Sequence, residues 1–183
     1  RWEFEMGQIS LPWDYGAFPE VEVISLEKLF DCDVFVFVAS RGIPPVGSQV
    51  KDVRMAQFEQ NAAIVKHYAR MARSARFQGL WAAVSDPVDP LAKTAYLESN
   101  KDEEGNWDGR GLRPEQVQGY GLGVMNARAA YFAKRDARLA SFLTEGRSFG
   151  PHGTGLFIAN SIDHYDEAIS QELTHLTVTA NLK

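Results

Sequence analysis

Hydrophobic and polar positions along the chain predict two short buried strands with a long helix between them. Residues 33–39 begin with Asp33 and continue as an apolar run of mostly β-branched and aromatic side chains, typical of a strand covered on both faces. Residues 77–84 are predicted as a second buried strand, which ends at Ser-Asp-Pro. Over residues 51–75 apolar side chains recur every three or four positions, with most charged side chains off that stripe, which predicts an amphipathic helix.

Weaker patterns predict the remaining elements. A Pro at position 87 suits the start of a further helix, because the first helical position tolerates proline. The other predicted elements are a half-buried strand at residues 21–26, one helical turn at 26–30, a loop at 40–50, a charged surface excursion at 101–110, a helix at about 125–142, a Gly-rich turn at 149–153, an apolar segment at 155–159, and a final helix opened by Asp163.

This alternation of strands and helices indicates an α/β sheet with right-handed parallel crossovers. In such sheets the ligand-binding crevice lies at the carboxyl ends of the strands. Those ends are residues 39–41 and 85–87. We therefore expect the two loops that follow them to meet at one rim of the sheet.

Composition and charge exclude several classes of protein. The chain has 183 residues, 45% of them hydrophobic, with a formal net charge of -5. This balance argues against a general binder of nucleic acid or anionic membranes, since both require clustered lysine and arginine. A single cysteine, Cys32, excludes a disulfide framework and a Cys-rich zinc site. The longest strongly apolar run, at residues 34–39, is too short to cross a bilayer.

Candidate residues for chemistry follow strand ends or Gly-rich turns, or lie on the helices after them: Arg41, Arg54, Asn61, Asp86, Asn126, Arg128 and His152. His152 suits acid/base work, because its free pKa lies near neutrality, although a histidine on a surface turn is the simpler interpretation. Arg54 and Arg128 are able to pair with a carboxylate through two parallel hydrogen bonds, or to lie solvated on their helices. The other histidines lack metal-ligand spacing, so no metal is predicted.

The Gly-rich stretch at residues 119–123 superficially resembles a dinucleotide-binding loop. It fails as such a signal, because no clear strand is predicted before it.

The order of these elements and several short motifs resemble the lactate/malate dehydrogenase family. Residues 31–40 are similar to the strand that reaches the nicotinamide, 42–47 to the Pro- and Gly-containing active-site loop, and 54–65 to the long helix with its Arg and Asn seven residues apart. Three further motifs are similar to the family's Ser-Asn-Pro-Val-Asp, Leu-Asp-[Ser/Thr]-Ala-Arg and Gly-x-His-Gly: residues 85–89, 126–128 and 150–153.

The resemblance implies hydride transfer between NAD or NADP and a 2-oxo or 2-hydroxy acid in a cytoplasmic protein. His152 would exchange the proton, Arg54 would polarise the carbonyl, and Asn126 could orient the imidazole. Arg128 would hold the substrate carboxylate, with Arg41 and Asp86 as further substrate contacts. The cofactor contacts would come from Ala39, Ser40, Asn61, Ser85 and Asp86. A homodimer through the helix at residues 51–75 is also implied.

Two residues depart from the family pattern. Met125 stands where the family has the Asp that holds the imidazolium, and Asp86 replaces a neutral Asn. Three hypotheses therefore remain. The first is a divergent dehydrogenase, the second is a catalytically silent relative that binds a nucleotide or a protein, and the third is an NAD-dependent glycosidase of the wider superfamily.

The expected fold is the C-terminal part of a Rossmann-type parallel-sheet domain, followed by the start of an α+β catalytic domain. We expect the first to span residues 1–86 and the second 87–183. No strand with a G-x-G-x-x-G turn precedes residue 21. We therefore expect the chain to be the middle of a protein of roughly 300 residues, at about 100–200 residues per domain. Alone it should bind NADH poorly.

Overall fold

A computed structural model describes residues 1–7, 20–42, 53–151 and 155–180. Short 3-10 turns at Leu26–Lys28, Pro114–Gln116 and Ala137–Leu139 connect its helices and strands. The helices are α1 (Trp2–Gly7), α2 (Val53–Ser74), α3 (Val88–Ser99), α4 (Gly123–Ala133), α5 (Phe142–Glu145) and α6 (Glu167–Thr179). The strands are β1 (Val34–Phe37), β2 (Leu80–Ala83), β3 (Val117–Gly119), β4 (Arg147–Phe149) and β5 (Phe157–Ala159).

The first three strands form a parallel sheet in the order β1-β2-β3. Val34 pairs with Leu80 and Trp81 with Val117, so the strands end at the same edge. Helix α2 connects β1 to β2, and α3 lies in the connection from β2 to β3. The predicted α/β class with parallel crossovers is confirmed.

Both connecting helices pack on one face of this sheet. Successive right-handed crossovers in one direction place their helices on the same side, and α2 packs directly against α3. Phe35 and Phe37 point into that core, whereas Val34 and Val36 on the other face are 48% and 50% exposed. The prediction that residues 33–39 are covered on both faces is therefore wrong for the part of the chain that the structure describes.

Two ion-pair clusters join α2 to α3 and the turn after it. Arg73 of α2 forms two hydrogen bonds with Asp108, at 2.7 and 2.6 Å, and these lower the pKa of Asp108 to about 2. The buried Glu98 of α3 accepts from Lys101 at 2.7 Å and from Arg70 at 3.3 Å. Burial opposes ionisation of Glu98, but these cations outweigh it and the pKa of Glu98 is lowered. The ion pairs fix the orientation of α2 relative to α3.

A second hydrophobic cluster joins α4, α5, α6 and the β4–β5 pair. Met125, Ile158 and Leu173 are fully buried at its centre. Helix α3 packs on α2 and β3 extends the parallel sheet, so residues after 87 also contribute to the first cluster; the domain boundary expected between residues 86 and 87 stays a prediction. The chain passes from one cluster to the other at the Gly-rich stretch before α4.

Several predicted element bounds differ from the structure. Residues 21–25 form no strand, although the helical turn that follows is present. The predicted helix at 125–142 ends at Ala133, and Asp136 then caps a 3-10 turn by accepting the backbone N–H of Arg138 at 2.9 Å. Helix α6 is capped by Asp166 rather than opened by Asp163. Strand β3, which the sequence did not reveal, directly precedes the Gly-rich stretch.

Residues 43–50 of the predicted loop lie outside the described residues. Within the described ranges, every helix is too short or too polar to cross a bilayer.

Candidate functional site

Asn61 joins the carboxyl ends of β1 and β2 from the buried face of α2. It is fully buried, and its Oδ1 accepts the backbone N–H of Arg41 at 2.9 Å. Its Nδ2 donates to the carbonyl oxygen of Asp86 at 3.0 Å and to the Ser40 hydroxyl at 3.3 Å. One side chain thus sets the relative position of the two loops that the sequence placed at one rim.

A second set of contacts closes the same edge. The hydroxyl of Ser85 donates to the carbonyl oxygen of Ala39 at 2.8 Å, and the backbone N–H of Ser85 donates to Phe37 at 3.2 Å. The peptide bond between Asp86 and Pro87 is cis. All five residues predicted to bind the cofactor therefore lie together at this edge: Ala39, Ser40, Asn61, Ser85 and Asp86.

A cavity of about 550 Å³ opens beside this rim, between the two hydrophobic clusters. Its size is typical of small-molecule sites, which measure about 300–1,000 Å³. Two predicted site residues from separate elements, Arg54 and Asp86, contribute to it. Among the described residues, those that line it are Arg54, Met55, Phe58, Asp86, Pro87, Val88, Asp89, Pro90, Gly119, Gly121, Leu122, Ser148, Phe149 and Gly150.

Asn126 supports the wall of the cavity instead of lining it. Its Oδ1 accepts the backbone N–H of Ser148 at 3.0 Å and so joins α4 to β4. The Ser148 hydroxyl is buried, and the described residues offer it no hydrogen-bond partner. A buried hydroxyl beside a cavity is a group that a bound polar ligand could satisfy.

The guanidinium of Arg128 lies against α6, and Arg128 is not among the lining residues of the cavity. Its Nη1 contacts the carbonyl oxygen of Thr177 at 3.5 Å and the Met125 sulfur at 3.8 Å. Thr177 belongs to the last turn of α6, whose carbonyl groups lack helical partners and favour a nearby cation. The structure thus joins Arg128 to the end of α6, and its predicted contact with substrate stays a prediction.

Two further predicted site residues are Arg41 and His152. Arg41 is exposed at the rim and is held through its backbone by Asn61. His152 lies outside the described residues, although Gly150, close to it in the chain, lines the cavity. Both roles stay predictions.

A strand does precede the Gly-rich stretch before α4, although the sequence did not show it. Strand β3 ends at Gly119, and α4 begins at Gly123. A Cβ atom at Gly119 would lie 2.6 Å from a methyl group of Val88, and one at Gly121 would lie 2.8 Å from the other. These glycines therefore make room for the side chain of Val88.

Sequence reasoning missed the apolar lining of the cavity. Phe58 lies one helical turn after Arg54, and Phe149 is the first residue of the Gly-rich turn. The closeness of these two residues to predicted site residues in the chain could have indicated a role in the site, but apolar side chains are ordinarily interpreted as part of the core. In the described part of the chain, no group of three His, Cys, Asp or Glu side chains could hold a metal ion.

Comparison with known proteins finds likeness in fold alone. No protein-family model matches the chain, and no curated protein sequence matches it. Solved structures of lactate and malate dehydrogenases do match, with identities of 17–21%.

Three of these structures illustrate the likeness. The malate dehydrogenase from Aeropyrum pernix is 20% identical, with a TM-score of 0.55, over 86% of this chain and 49% of that one. The malate dehydrogenase from Plasmodium falciparum is 17% identical, with a TM-score of 0.53, over 86% and 50%. The minor L-lactate dehydrogenase from Enterococcus mundtii is 19% identical, with a TM-score of 0.50, over 84% and 49%. The chain thus has the fold of about half of each structure and confirms the predicted resemblance at that level.

Proposed function

We propose that this chain carries the substrate-binding part of an NAD(P)-dependent dehydrogenase that interconverts a 2-oxo acid and a 2-hydroxy acid. The observation that carries the proposal is the cavity at the carboxyl ends of the strands, where Arg54 and Asp86 come together from separate elements. The fold likeness to lactate and malate dehydrogenases supports it. The chain spans about half the length of those structures, so the dehydrogenase activity of the whole protein is part of this proposal.

The described residues fit the reacting end of a nicotinamide cofactor. The cavity offers apolar walls for a flat ring, and Ser40, Ser85 and Asp86 offer polar atoms beside it. The 183 residues contain no G-x-G-x-x-G turn to hold the pyrophosphate. When bound, the cofactor supplies the hydride, and the protein supplies position and electrostatics.

In the proposed mechanism, Arg54 donates hydrogen bonds to the carbonyl oxygen of the oxo acid and stabilises the negative charge that develops there. His152 gives its proton to that oxygen during reduction and takes it back during oxidation. Asn126 holds β4, the strand that leads to His152, against α4 through Ser148. Arg128 would bind the substrate carboxylate.

A steady-state assay tests this proposal with the full chain, NADH and a panel of 2-oxo acids. Arg54→Gln should lower kcat/KM by about a hundredfold or more, the usual effect of removing one donor from a developing oxyanion. Arg113→Gln, at an exposed position away from the cavity, should leave it unchanged. A kcat/KM that is unchanged in both Arg54→Gln and His152→Asn would refute the mechanism.

A second candidate is a catalytically silent relative that binds a nucleotide or a protein. The observation that favours it is Met125, which stands where the resemblance expects an Asp and is buried in an apolar cluster. A thioether does not stabilise an imidazolium as a carboxylate does, and the loss of such a partner lowers rates by orders of magnitude. NADH binding without turnover of any 2-oxo acid would support this alternative.

A further inference from the structure

The cavity has an apolar wall that the proposed reaction at a carbonyl group does not use. Met55 and Phe58 come from α2, Val88 from α3, and Leu122 and Phe149 from the segments around α4 and β4. Met55 and Phe149 are 53% and 48% exposed, so a ligand could cover substantial apolar surface there. Covering such surface favours binding, and an apolar wall with a few polar groups is typical of small-molecule sites.

The apolar wall begins one helical turn from the cation of the site. Arg54 and Phe58 are four residues apart on α2, which places their Cβ atoms about 5–6 Å apart on one face of the helix. Phe58 also packs against the core of the parallel sheet, and this fixes its position. A carbonyl group held by Arg54 would thus have this wall within about one helical turn of it.

The charges in the lining disfavour a second carboxylate on the ligand. Asp86 and Asp89 both line the cavity, and Arg54 is the cation among its described lining residues. A dicarboxylate would bring its extra negative charge close to two carboxylates, and this repulsion is strong near low-dielectric walls. A neutral apolar substituent meets no such repulsion.

We propose that the substrate is a 2-oxo acid with a single carboxylate and a large apolar side chain, branched or aromatic. This inference rests on the proposed dehydrogenase function and narrows its substrate class. The side chain packs between Phe58 and Phe149, and Arg54 holds the oxo-acid end. Small oxo acids leave the wall uncovered, and dicarboxylates meet Asp86 and Asp89.

Ligand-observed NMR titration of the full chain, with and without NADH, tests the proposal with phenylpyruvate, pyruvate and oxaloacetate. Phenylpyruvate should bind at least about tenfold more tightly than the other two, since even small apolar groups in a fitted pocket give about 10–200-fold discrimination. Phe149→Ala should remove most of this preference. Tyr165→Ala, which removes a similarly exposed aromatic side chain outside the cavity, should retain it.

The possible failures are distinguishable. Pyruvate or oxaloacetate binding as tightly as phenylpyruvate would overturn the substrate class but leave the dehydrogenase proposal standing. A preference for phenylpyruvate that survives Phe149→Ala would overturn the assigned wall. Failure of all three acids to bind, with or without NADH, would overturn both proposals.

Discussion

Replacement of Asn61 by alanine should destabilise the fold and loosen the rim of the candidate site. The side chain is fully buried and joins three groups that belong to two different loops. Alanine keeps the helix but leaves the N–H of Arg41 and the carbonyl of Asp86 without their partner. No other side chain among the described residues makes these two contacts.

The magnitude follows from the geometry of the bonds. Those at 2.9 and 3.0 Å are well formed, and each should contribute about 0.5–1.5 kcal/mol net, whereas the bond of 3.3 Å to Ser40 adds less. The rim is partly exposed, so water replaces some of the loss. We expect Asn61→Ala to lower the free energy of unfolding by about 2 kcal/mol, which corresponds to about 4–8 °C in Tm for a chain of this size.

Urea denaturation followed by circular dichroism measures this loss, and differential scanning calorimetry gives the shift in Tm. Gln60→Ala is the matched control, because Gln60 is the exposed neighbour on the same helix and should change stability by less than about 0.5 kcal/mol. Asn61→Asp keeps the shape but presents an oxygen to the carbonyl of Asp86. Burial should raise the pKa of the new carboxyl above its unfolded value, so the stability of this variant should fall as pH rises through that pKa. Equal stability of Asn61→Ala and Gln60→Ala would refute the role assigned to Asn61.

Two further predictions concern the surroundings of the site. Arg73 lowers the pKa of Asp108 to about 2, so this pair should stabilise the fold above about pH 4 and lose its effect as pH falls through 2. The urea midpoints of wild type and Asp108→Asn should differ at pH 6, and this difference should shrink as pH falls from 4 to 2; a constant difference would contradict the linkage. Met125→Ala should lower the free energy of unfolding by about 2–5 kcal/mol, because it opens a cavity in the second cluster. Val124 is 63% exposed on the same helix, so Val124→Ala should lower it by less than about 0.5 kcal/mol. Similar losses for the two variants in urea denaturation would contradict the burial of Met125.

Periodic patterns predicted the elements of the first cluster because those elements are long or strongly apolar. Helix α2 and strands β1 and β2 lie within their predicted ranges, although one face of β1 is exposed where the pattern predicted cover on both faces. Strand β3 was missed because it is three residues long and contains Gln118 and Gly119, so its strand character comes from pairing with β2. The predicted helix at 125–142 failed because the local cap at Asp136 competes with helical continuation.

In the candidate site, too, the sequence predicted the positions that depend on local pattern but not the contacts between residues far apart in the chain. The sequence placed Ser40 and Asp86 at strand ends, because parallel strands bring their carboxyl ends to one edge. It could not show that Asn61 holds that edge together or that Arg128 lies against α6, since both depend on contacts between residues at least 20 positions apart.

The sequence by itself determined an α/β chain, the rim at the carboxyl ends of its strands, and a resemblance to the lactate/malate dehydrogenases, since these features depend on local periodicity and short motifs. Tertiary structure decided which of the polar groups share a cavity and which support its walls. It also decided that Phe58 and Phe149 face the same cavity as Arg54. The physical reason is that apolar side chains on a helix or strand look alike in sequence, whether they enter a core or line a cavity between two cores.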